Sequence, residues 1–406
     1  MVSSSHFDII IMGGGLVGLT LGIGLSHHGV RCAVIDPAQP ETTLAPNFDG
    51  RVSSISSASW KLFQALGIAE RLQGKGCPIE RIWVSDGLQP GVLDFAPPQD
   101  DDTPMGIMFE NRETRLALRD AALAAEHLTL FQPDRATHVE RSLDGVTVKL
   151  ESGVQLSASL LVGAEGRGSP TREAANIPVA KWSYNHVAMV TAITHEVHHA
   201  NTAYEIFYPG GPFAILPMQP GTRSAIVWTV PKAQVAGMLA LGERGWAAEA
   251  QKRMGGFLGE IKVAAPRSSY PLGYHRAARI TDTRLALVGD AAHGIHPIAG
   301  QGVNLGFRDA AALIEVIVDG MRLGLEPGDA QLLTRYQRWR SLDTLSVTVA
   351  MDGLVRLFDV PGRIPSAIRR AGLAAVQKMG PLKDRFMAEA RGESGALPVL
   401  LTGETV

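Results

Sequence analysis

Residues whose types and spacing suit nucleotide chemistry lie near the N-terminus of this 406-residue chain. Gly13-x-Gly15-x-x-Gly18 follows the short apolar run Phe7–Met12, and Asp36 ends a second apolar run. Glycines at these positions permit a tight turn, let a pyrophosphate approach the backbone and let the next helix pack closely. The acidic side chain can accept hydrogen bonds from an adenosine ribose. The pattern predicts dinucleotide binding and leaves FAD and NAD as alternatives.

Two further stretches have the same form, an apolar strand that ends in a polar turn. One is Ser159–Arg172, and the other is Leu287–Phe307, which holds Asp290 and then Gly300-Gln301-Gly302 before a helical pattern. Because parallel strands end at one edge of a sheet, we expect the three turns to surround one extended ligand. Asp290 would bind sugar-like hydroxyl groups, and the glycine-lined helix start would lie against a flat ring. Helix capping is the alternative role for Asp290.

The remaining patterns indicate the elements that must position these turns. Residues 181–269 alternate apolar and polar positions between glycine turns, which is typical of an antiparallel sheet. The segment Ile79–Asp94 is expected to join that sheet. From Leu332 onward, apolar residues recur at helical spacing and predict helices that pack on the first domain.

Composition and charge exclude several classes of protein. The net charge is -2, which gives no reason to expect a nucleic-acid partner. The two cysteines cannot form a disulfide framework. The uncharged run Ile9–Ser26 is interrupted by glycines and directly follows Asp8, so we do not expect a membrane helix there. His293 and His296 lack a nearby ligand set and are expected to be structural rather than metal-binding.

The three motifs, in this order and spacing, resemble the aromatic-ring hydroxylase class of FAD monooxygenases, which has the p-hydroxybenzoate hydroxylase fold. Within that class, Phe48–Ile68, Gly289–Asp309 and the tail Met379–Glu404 resemble the ubiquinone-biosynthesis hydroxylase family. The resemblance spans essentially the whole chain.

The resemblance implies an α/β fold with three parts. These are an FAD-binding Rossmann-like domain of the GR2 type, a discontinuously inserted antiparallel β-sheet substrate domain and a helical C-terminal region. The expected limits are 1–78, 105–180 and 276–340 for the FAD-binding domain, 79–104 and 181–275 for the substrate domain, and 341–406 for the C-terminal region.

The resemblance also implies roles for individual residues. Most of the implied cofactor-binding residues lie in the three turns, and Arg51 and Arg115 match basic residues that approach the flavin nucleotide. Glu165 stands where the family usually has aspartate, so it keeps the charge but has a longer side chain. The full implied set is Gly13, Gly15, Gly18, Asp36, Arg51, Arg115, Glu165, Asp290, Pro297, Gly300, Gln301, Gly302, Val303 and Asn304.

A second implied set concerns the substrate. The segment Tyr208–Met218 matches a family segment that passes close to flavin and substrate, and a plain hairpin in the core is the alternative. The implied pocket wall is Phe213, Ala214, Ile215, Leu216 and Pro217.

The implied reaction is hydroxylation of a phenolic ring. A reduced flavin reacts with O2 to give a C4a-hydroperoxide, whose distal oxygen passes to the ring, and NAD(P)H or another reductant supplies the electrons. The implied substrate is a polyprenylated phenol in ubiquinone biosynthesis. A small soluble aromatic substrate, or a flavin-containing scaffold subunit of a quinone-synthesis complex, are the alternatives. This chemistry needs no nucleophile and no metal, so no catalytic side chain or metal site is assigned.

The C-terminal region suggests a location. Arg356–Arg391 holds eight basic and three acidic residues, a balance that suits contact with an anionic membrane surface. A solvated helix face is the alternative. We expect a cytoplasmic protein, with peripheral attachment to the inner face of the cell membrane as the form that this segment would support.

Overall fold

The protein is described by a computed structural model that covers residues 4–46, 51–89, 92–97, 103–294, 300–360 and 362–406. Short apolar runs form strands, and longer amphipathic segments form helices. The strands are β1 (Ser4–His6), β2 (Ile9–Met12), β3 (Cys32–Ile35), β4 (Val52–Ser56), β5 (Cys77–Ile79), β6 (Arg81–Asp86), β7 (Leu93–Phe95), β8 (Gly106–Glu110), β9 (Leu128–Phe131), β10 (Ala136–Arg141), β11 (Val146–Leu150), β12 (Gln155–Ala158), β13 (Leu160–Gly163), β14 (Val179–His195), β15 (Thr202–Tyr208), β16 (Gly211–Met218), β17 (Arg223–Pro231), β18 (Ile261–Val263), β19 (Ser268–Ala277), β20 (Thr281–Asp282), β21 (Leu285–Leu287) and β22 (His293–Gly294).

The helices concentrate at the start of the first domain and at the C-terminus. They are α1 (Leu16–His27), α2 (Pro40–Thr43), α3 (Ser57–Ala65), α4 (Ala69–Leu72), α5 (Asn111–Ala124), α6 (Pro170–Ala174), α7 (Val235–Ala240), α8 (Glu243–Met254), α9 (Gln301–Arg322), α10 (Ala330–Asp359), α11 (Arg363–Lys378) and α12 (Gly380–Ala390).

A six-stranded sheet forms the centre of the first domain, in the order β20-β21-β13-β2-β3-β9. Its strands run parallel except for β20, which pairs antiparallel with β21. The residues of β2 and β13 are almost wholly apolar because both faces of the sheet are covered. Helices α1 and α9 approach closely at Gly24, where a Cβ atom would lie 2.3 Å from Ile314 Cδ1.

Two smaller sheets extend this domain. One has the order β1-β12-β11-β10, and the other has the order β4-β8-β5. In the second, Val52 pairs with Glu110 in antiparallel register, so the start of β4 lies beside the end of β8. This pairing places the residues before β4 next to the start of α5.

A nine-stranded sheet forms the second layer of the molecule, in the order β22-β19-β14-β17-β16-β15-β6-β7, with β18 pairing to β14. The pairs are antiparallel except for β15 and β6, which run parallel. One face packs against α8, where Trp228 and Trp246 belong to one buried cluster. The other face packs toward α9, α10 and α11 through Phe207, Leu305 and Phe358.

The C-terminal helices close the molecule around this second face. Phe358 of α10 stacks on Phe207 of β15 with ring centroids 3.8 Å apart. Arg369 of α11 forms a buried ion pair with Asp86 of β6, with Nη2 and Oδ1 3.1 Å apart. Among the described helices, none is both long enough and apolar enough to cross a bilayer.

Candidate functional site

Three turns meet at one edge of the six-stranded sheet. Ile11 of β2 pairs with Val162 of β13, and Leu161 of β13 pairs with Leu285 of β21, all in parallel register. The turns that follow these strands therefore leave the sheet side by side. The structure brings together the three glycine-bearing turns of the sequence.

Close backbone contacts show why glycine is needed there. Gly13 has a φ of +104°, and a Cβ atom on it would lie 2.6 Å from the carbonyl oxygen of Ala164. A Cβ on Gly18 would lie 2.0 Å from the carbonyl oxygen of Gly13. On Gly289 it would lie 3.3 Å from the side chain of Val17. The first turn thus touches both of the others.

Asp36 holds the first turn from the neighbouring strand end. Its Oδ2 accepts a hydrogen bond from the backbone N–H of Gly14 at 2.6 Å, and its Oδ1 accepts one from Ala38 at 2.7 Å. The side chain is half-buried. In this structure the carboxylate therefore organises the loop, in addition to the ribose contact that the resemblance implies.

The start of α1 is open toward the same edge. A Cβ atom on Gly15 would meet no other atom within 4 Å. Gly15 precedes the helix and provides no capping side chain, so the first N–H groups face this open space. Such a helix start favours a phosphate group.

Glu165 in the second turn is satisfied by its own loop. Its carboxylate accepts hydrogen bonds from Ser169 Oγ at 2.6 Å and from the backbone N–H of Thr171 at 3.1 Å. Buried Arg172 then donates from Nη1 to the carbonyl oxygen of Ala291 at 3.0 Å, which joins the second turn to the third. Glu165 thus has an internal structural role, and its contact with a cofactor stays a prediction.

In the third turn, the side chain of Asp290 is exposed at the strand end while its backbone is fixed. The Nε2 atom of His275 lies 2.6 Å from the Asp290 carbonyl oxygen. Burial lowers the pKa of His275 below its usual value, so the ring is neutral near pH 7. Because a carbonyl oxygen only accepts, Nε2 carries the proton and donates it.

A buried ionic cluster lies directly behind Asp290. Asp309 of α9 contacts His293 Nε2 at 2.7 Å and Arg340 Nε at 2.6 Å, and it also accepts a hydrogen bond from the backbone N–H of Gly289 at 2.9 Å. Burial alone would raise the pKa of Asp309, but His293 and Arg340 together bring it below its usual value. This cluster fixes the backbone of the third turn.

Sequence reasoning did not identify this cluster. A charged pair, Arg308-Asp309, inside an otherwise apolar stretch of α9 was the available indication. His293, which we expected to be structural, lies buried in the cluster. Across the described residues, no group of three or more His, Cys, Asp or Glu side chains is arranged to hold a metal ion.

The start of α9 is fixed to β4 by one amide side chain. Asn304 donates from Nδ2 to the carbonyl oxygen of Ser54 at 2.8 Å, and its Oδ1 accepts the backbone N–H of Ser56 at 2.9 Å. Gly300 adopts the left-handed conformation with φ +64° just before the helix. Among the described residues, a Cβ atom on Gly302 would meet no other atom within 4 Å, so this helix start also faces space that they leave open.

Two predicted arginines lie on elements that meet. The backbone carbonyl of Arg51 accepts the N–H of Asn111 at 2.9 Å, and Arg115 lies one turn further along α5. The Arg51 guanidinium carbon lies 5.5 Å from the ring centroid of Tyr270 in β19. Arg51 therefore bridges toward the nine-stranded sheet.

Of the remaining predicted cofactor-binding residues, some lie within the described part of the chain and one lies outside it. Val303 is partly buried against the core of the first domain, and Gln301 is the first residue of α9. Pro297 and the neighbouring His296 lie outside the described residues.

The implied pocket wall divides along β16, because successive residues of a strand point to opposite faces. Phe213 and Ile215 are fully buried in the cluster beneath α8. Leu216 packs on the opposite face, in a cluster that includes Val52 of the first domain. Ala214 shares that face with Leu216.

The arrangement fits FAD. Open space lies beside two helix starts, at Gly15 and Gly302, where side chains would otherwise intrude. Backbone N–H groups at both positions suit negative charge, which the pyrophosphate carries and the reduced ring develops. An exposed carboxylate, Asp290, follows β21 at the same sheet edge.

Comparison with known proteins gives the same picture. A profile of the family described as FAD binding domain matches residues 6–346. The ubiquinone hydroxylase UbiL of Rhodospirillum rubrum is 45% identical over 95% of this chain and 89% of its own length. The 3-demethoxyubiquinol 3-hydroxylase of Escherichia coli is 33% identical over 95% of this chain and 98% of its own length.

Solved structures share the fold. The p-nitrophenol 4-monooxygenase PnpA of Pseudomonas putida superposes with a TM-score of 0.80, covers 97% of this chain and 100% of its own, and is 16% identical. Likeness at this identity shows the fold alone. The predicted fold class, with FAD as cofactor, is confirmed by these findings.

Proposed function

We propose that this chain, which belongs to the FAD-dependent ubiquinone-biosynthesis hydroxylase family, hydroxylates the ring of a polyprenylated phenol. The chain is an FAD-dependent aromatic monooxygenase. The substrate is our proposal. The observation that carries it is the convergence of three turns on one sheet edge, opposite a second sheet with a largely apolar face.

We assign the cofactor contacts by position. The turn from Gly13 to Gly18 and the start of α1 would hold the pyrophosphate, and Asp290 would hold the ribityl chain. The segment from Gly300 to Asn304 would lie beside the flavin ring, and Arg51 and Arg115 would approach the nucleotide. When bound and reduced, FAD would activate O2, one atom of which is transferred to the substrate ring.

The rest of the chain would orient the ring and exclude water. Ala214 and Leu216 present small and apolar side chains on the face of the nine-stranded sheet that packs toward α9. An apolar wall suits a prenyl chain, because each buried methylene contributes about 0.8 kcal/mol to binding. A dry site also protects the reactive oxygen species from water.

The sheet memberships support the proposed domain limits. Strands β6 and β7 lie within 79–104, and β15 to β18 lie within 181–275. Strand β14 begins two residues before the second range and β19 ends two residues after it, and all of these strands belong to the same nine-stranded sheet. The remaining segments, 1–78, 105–180 and 276–340, hold the six-stranded sheet with α1 and α9. The proposed C-terminal region, 341–406, holds most of α10 and all of α11 and α12.

Oxygen consumption by the purified, FAD-loaded protein tests the proposed function. We expect phenols with a prenyl chain to stimulate O2 uptake in the presence of NAD(P)H or another reductant, and the rate to rise with chain length. Equal rates with and without the chain would favour the small-aromatic alternative. A yellow, FAD-containing protein with no stimulated uptake would favour the scaffold alternative.

We further propose that α11 contacts an anionic membrane surface. Ile364, Ile368 and Met379 are 75%, 64% and 54% exposed and follow one side of the helix. Ala371 and Ala375 continue that exposed apolar side between them. Basic residues flank it at Arg370, Lys378, Lys383 and Arg385. Apolar residues beside positive charge are the features of a helix that lies in a lipid interface.

Vesicle co-sedimentation tests this contact. We expect binding to phosphatidylglycerol-containing vesicles and little binding to phosphatidylcholine alone. The double substitution Ile364→Ser/Ile368→Ser should weaken binding by about tenfold or more, since each side chain loses apolar contact with lipid. Leu143→Ser is the matched control, because Leu143 is 82% exposed in the turn between β10 and β11. Equal binding by the double variant would contradict the proposal.

A further inference from the structure

An acidic residue, Glu205, lies on the face of the nine-stranded sheet that packs toward α9 and α10. Along β15, Tyr204 and Ile206 pack with the cluster beneath α8. Phe207 faces the other way, against Leu305 just after the predicted flavin-binding segment. Because strand residues alternate, Glu205 shares the face of Phe207.

The residues beside Glu205 form a row across that face. Glu205 pairs with Val84 of β6 on one side and with Ala214 of β16 on the other, and Ala214 pairs in turn with Val227. Val227 then pairs with Val190 of β14. Paired residues of neighbouring strands point to the same face. The carboxyl group therefore stands among aliphatic side chains.

Most residues of this row are not fully covered by the rest of the molecule. Val84, Glu205, Val227 and Val190 keep part of their surface accessible although they lie within the sheet. On the opposite face, Ile206 and its neighbours are buried beneath α8. Partial accessibility on the inner face, between the two domains, is what a ligand cavity would produce.

Glu205 is chemically unusual in this position. Within the described part of the chain it has no hydrogen-bond or ion-pair partner. Burial raises its pKa to about 7. Two positions further along β6, Asp86 faces the same side but is paired with Arg369 and Ser366 of α11. Nearby, β16 contributes Ala214 and α10 contributes Phe358, neither of which is charged.

We propose that Glu205 accepts the proton of the ring hydroxyl of the phenolic substrate. The proposal deepens the proposed function and rests on it. The phenolic O–H bond breaks, its proton goes to a carboxylate oxygen of Glu205, and the electron pair stays on the substrate oxygen. Delocalisation of that pair raises electron density on the ortho and para ring carbons, where the oxygen atom is accepted. The proton then passes to water when product leaves.

The test uses FAD-loaded protein without reductant, so it does not require turnover. A phenol with one short prenyl chain is added, and ultraviolet difference spectra report whether it binds as phenol or phenolate. In wild-type protein we expect part of the bound phenol to shift to phenolate absorbance as pH rises through about 7, because the ordinary pKa of a phenol, about 10, lies above that of Glu205. In Glu205→Gln we expect the phenol to bind without ionising, with FAD content unchanged.

Turnover provides the second measurement. Glu205→Gln should hydroxylate about 100-fold more slowly or worse, as expected for loss of a general base, and Glu205→Asp should recover part of the rate. Glu243→Gln is the control, since Glu243 is exposed on α8 beyond the opposite face. It should behave as wild type in both assays.

Failure of the Glu205 proposal and failure of the proposed function give different experimental results. Phenolate absorbance and a pH profile unchanged in Glu205→Gln would overturn the proposal. So would loss of phenol binding in both the Gln and Asp variants with FAD retained, because that would indicate a packing role. If wild-type protein ionises the bound phenol but never hydroxylates it, the proposed function fails while the role of Glu205 stands.

Discussion

Asp309 and Glu205 are both enclosed acids, yet their environments act in opposite directions. Asp309 is fully buried, and its partners His293 and Arg340 bring its pKa below the usual value. Glu205 has aliphatic neighbours, and burial raises its pKa to about 7. The comparison shows that burial alone does not determine whether an acidic side chain is charged. The ion-pair and hydrogen-bond partners of the carboxyl group decide the direction in which its pKa shifts. A paired acid stabilises the fold, and an unpaired one is available for proton transfer.

Removing the paired acid should have the largest effect. Asp309→Asn would remove one of the two carboxylate partners of Arg340, which is fully buried, and leave Asp343 as the other. Breaking a buried pair on one side costs about 3 to 5 kcal/mol. We expect that loss in the free energy of unfolding, measured by urea denaturation at pH 7.5.

A control on the same helix sharpens this result. Asp319 pairs with Arg335 at 3.0 Å, but both side chains are well exposed. Asp319→Asn should cost about 0 to 1 kcal/mol. Similar losses for the two variants would contradict the distinction between them.

The pH dependence of the first effect follows from the lowered pKa of Asp309. An acid whose folded pKa lies below its unfolded value, about 3.9, stabilises the fold above that value. The contribution disappears as pH falls through the folded pKa. The difference between wild type and Asp309→Asn should therefore shrink below about pH 4.

Removing the unpaired acid should have a smaller effect of the opposite sign. The folded pKa of Glu205, about 7, lies above its unfolded value of about 4.3, so between them the folded protein binds more protons. Stability attributable to this group then falls as pH rises. The difference between these two pKa values, about 2.7, corresponds to at most about 3.7 kcal/mol. Because Glu205 is only partly buried, we expect Glu205→Gln to be more stable than wild type by about 1 to 2 kcal/mol at pH 8, with little difference at pH 4. A variant that is less stable at pH 8 would show that the carboxylate has a partner after all.

The smallest expected change in stability concerns Asp86, which shares the sheet face of Glu205 but has an ion-pair partner, as Asp309 does. Ser366→Ala removes one hydrogen bond to Asp86 and leaves its ion pair with Arg369. The expected cost is about 1 kcal/mol of unfolding free energy, since the charge stays compensated. The pH profile of hydroxylation should not move. A shifted profile would show that Asp86 and Glu205 are coupled.

The local features of the fold were predictable from sequence. Residues adjacent in the sequence specify the turn at Gly13-x-Gly15-x-x-Gly18 and the turns at the ends of β13 and β21. The spacing of the glycines therefore indicates these turns directly. The assignment of five consecutive residues, 213–217, to one wall was less well founded, because strand alternation sends Phe213 and Ile215 to the opposite face.

Other features depend on contacts between distant segments. Asp309 meets Arg340 only after α9 and α10 pack, and no local pattern specifies that meeting. The face that Glu205 occupies was equally hidden, since both faces of β15 are covered and its flanking residues are apolar or aromatic on both sides. Sequence periodicity distinguishes faces only where one of them is solvated.

Asn304 has a consequence for how this architecture can vary. Its single amide holds the start of α9 to β4 across 250 positions of the chain. In the sequence, the whole nine-stranded sheet lies between those two segments. In the fold, the hydrogen bonds of Asn304 join the two segments directly, so their relative position does not depend on that sheet. Loops of the inserted sheet could therefore lengthen, or its strands be replaced, to admit a different guest molecule while the start of α9, the predicted flavin-ring segment, keeps its place beside β4.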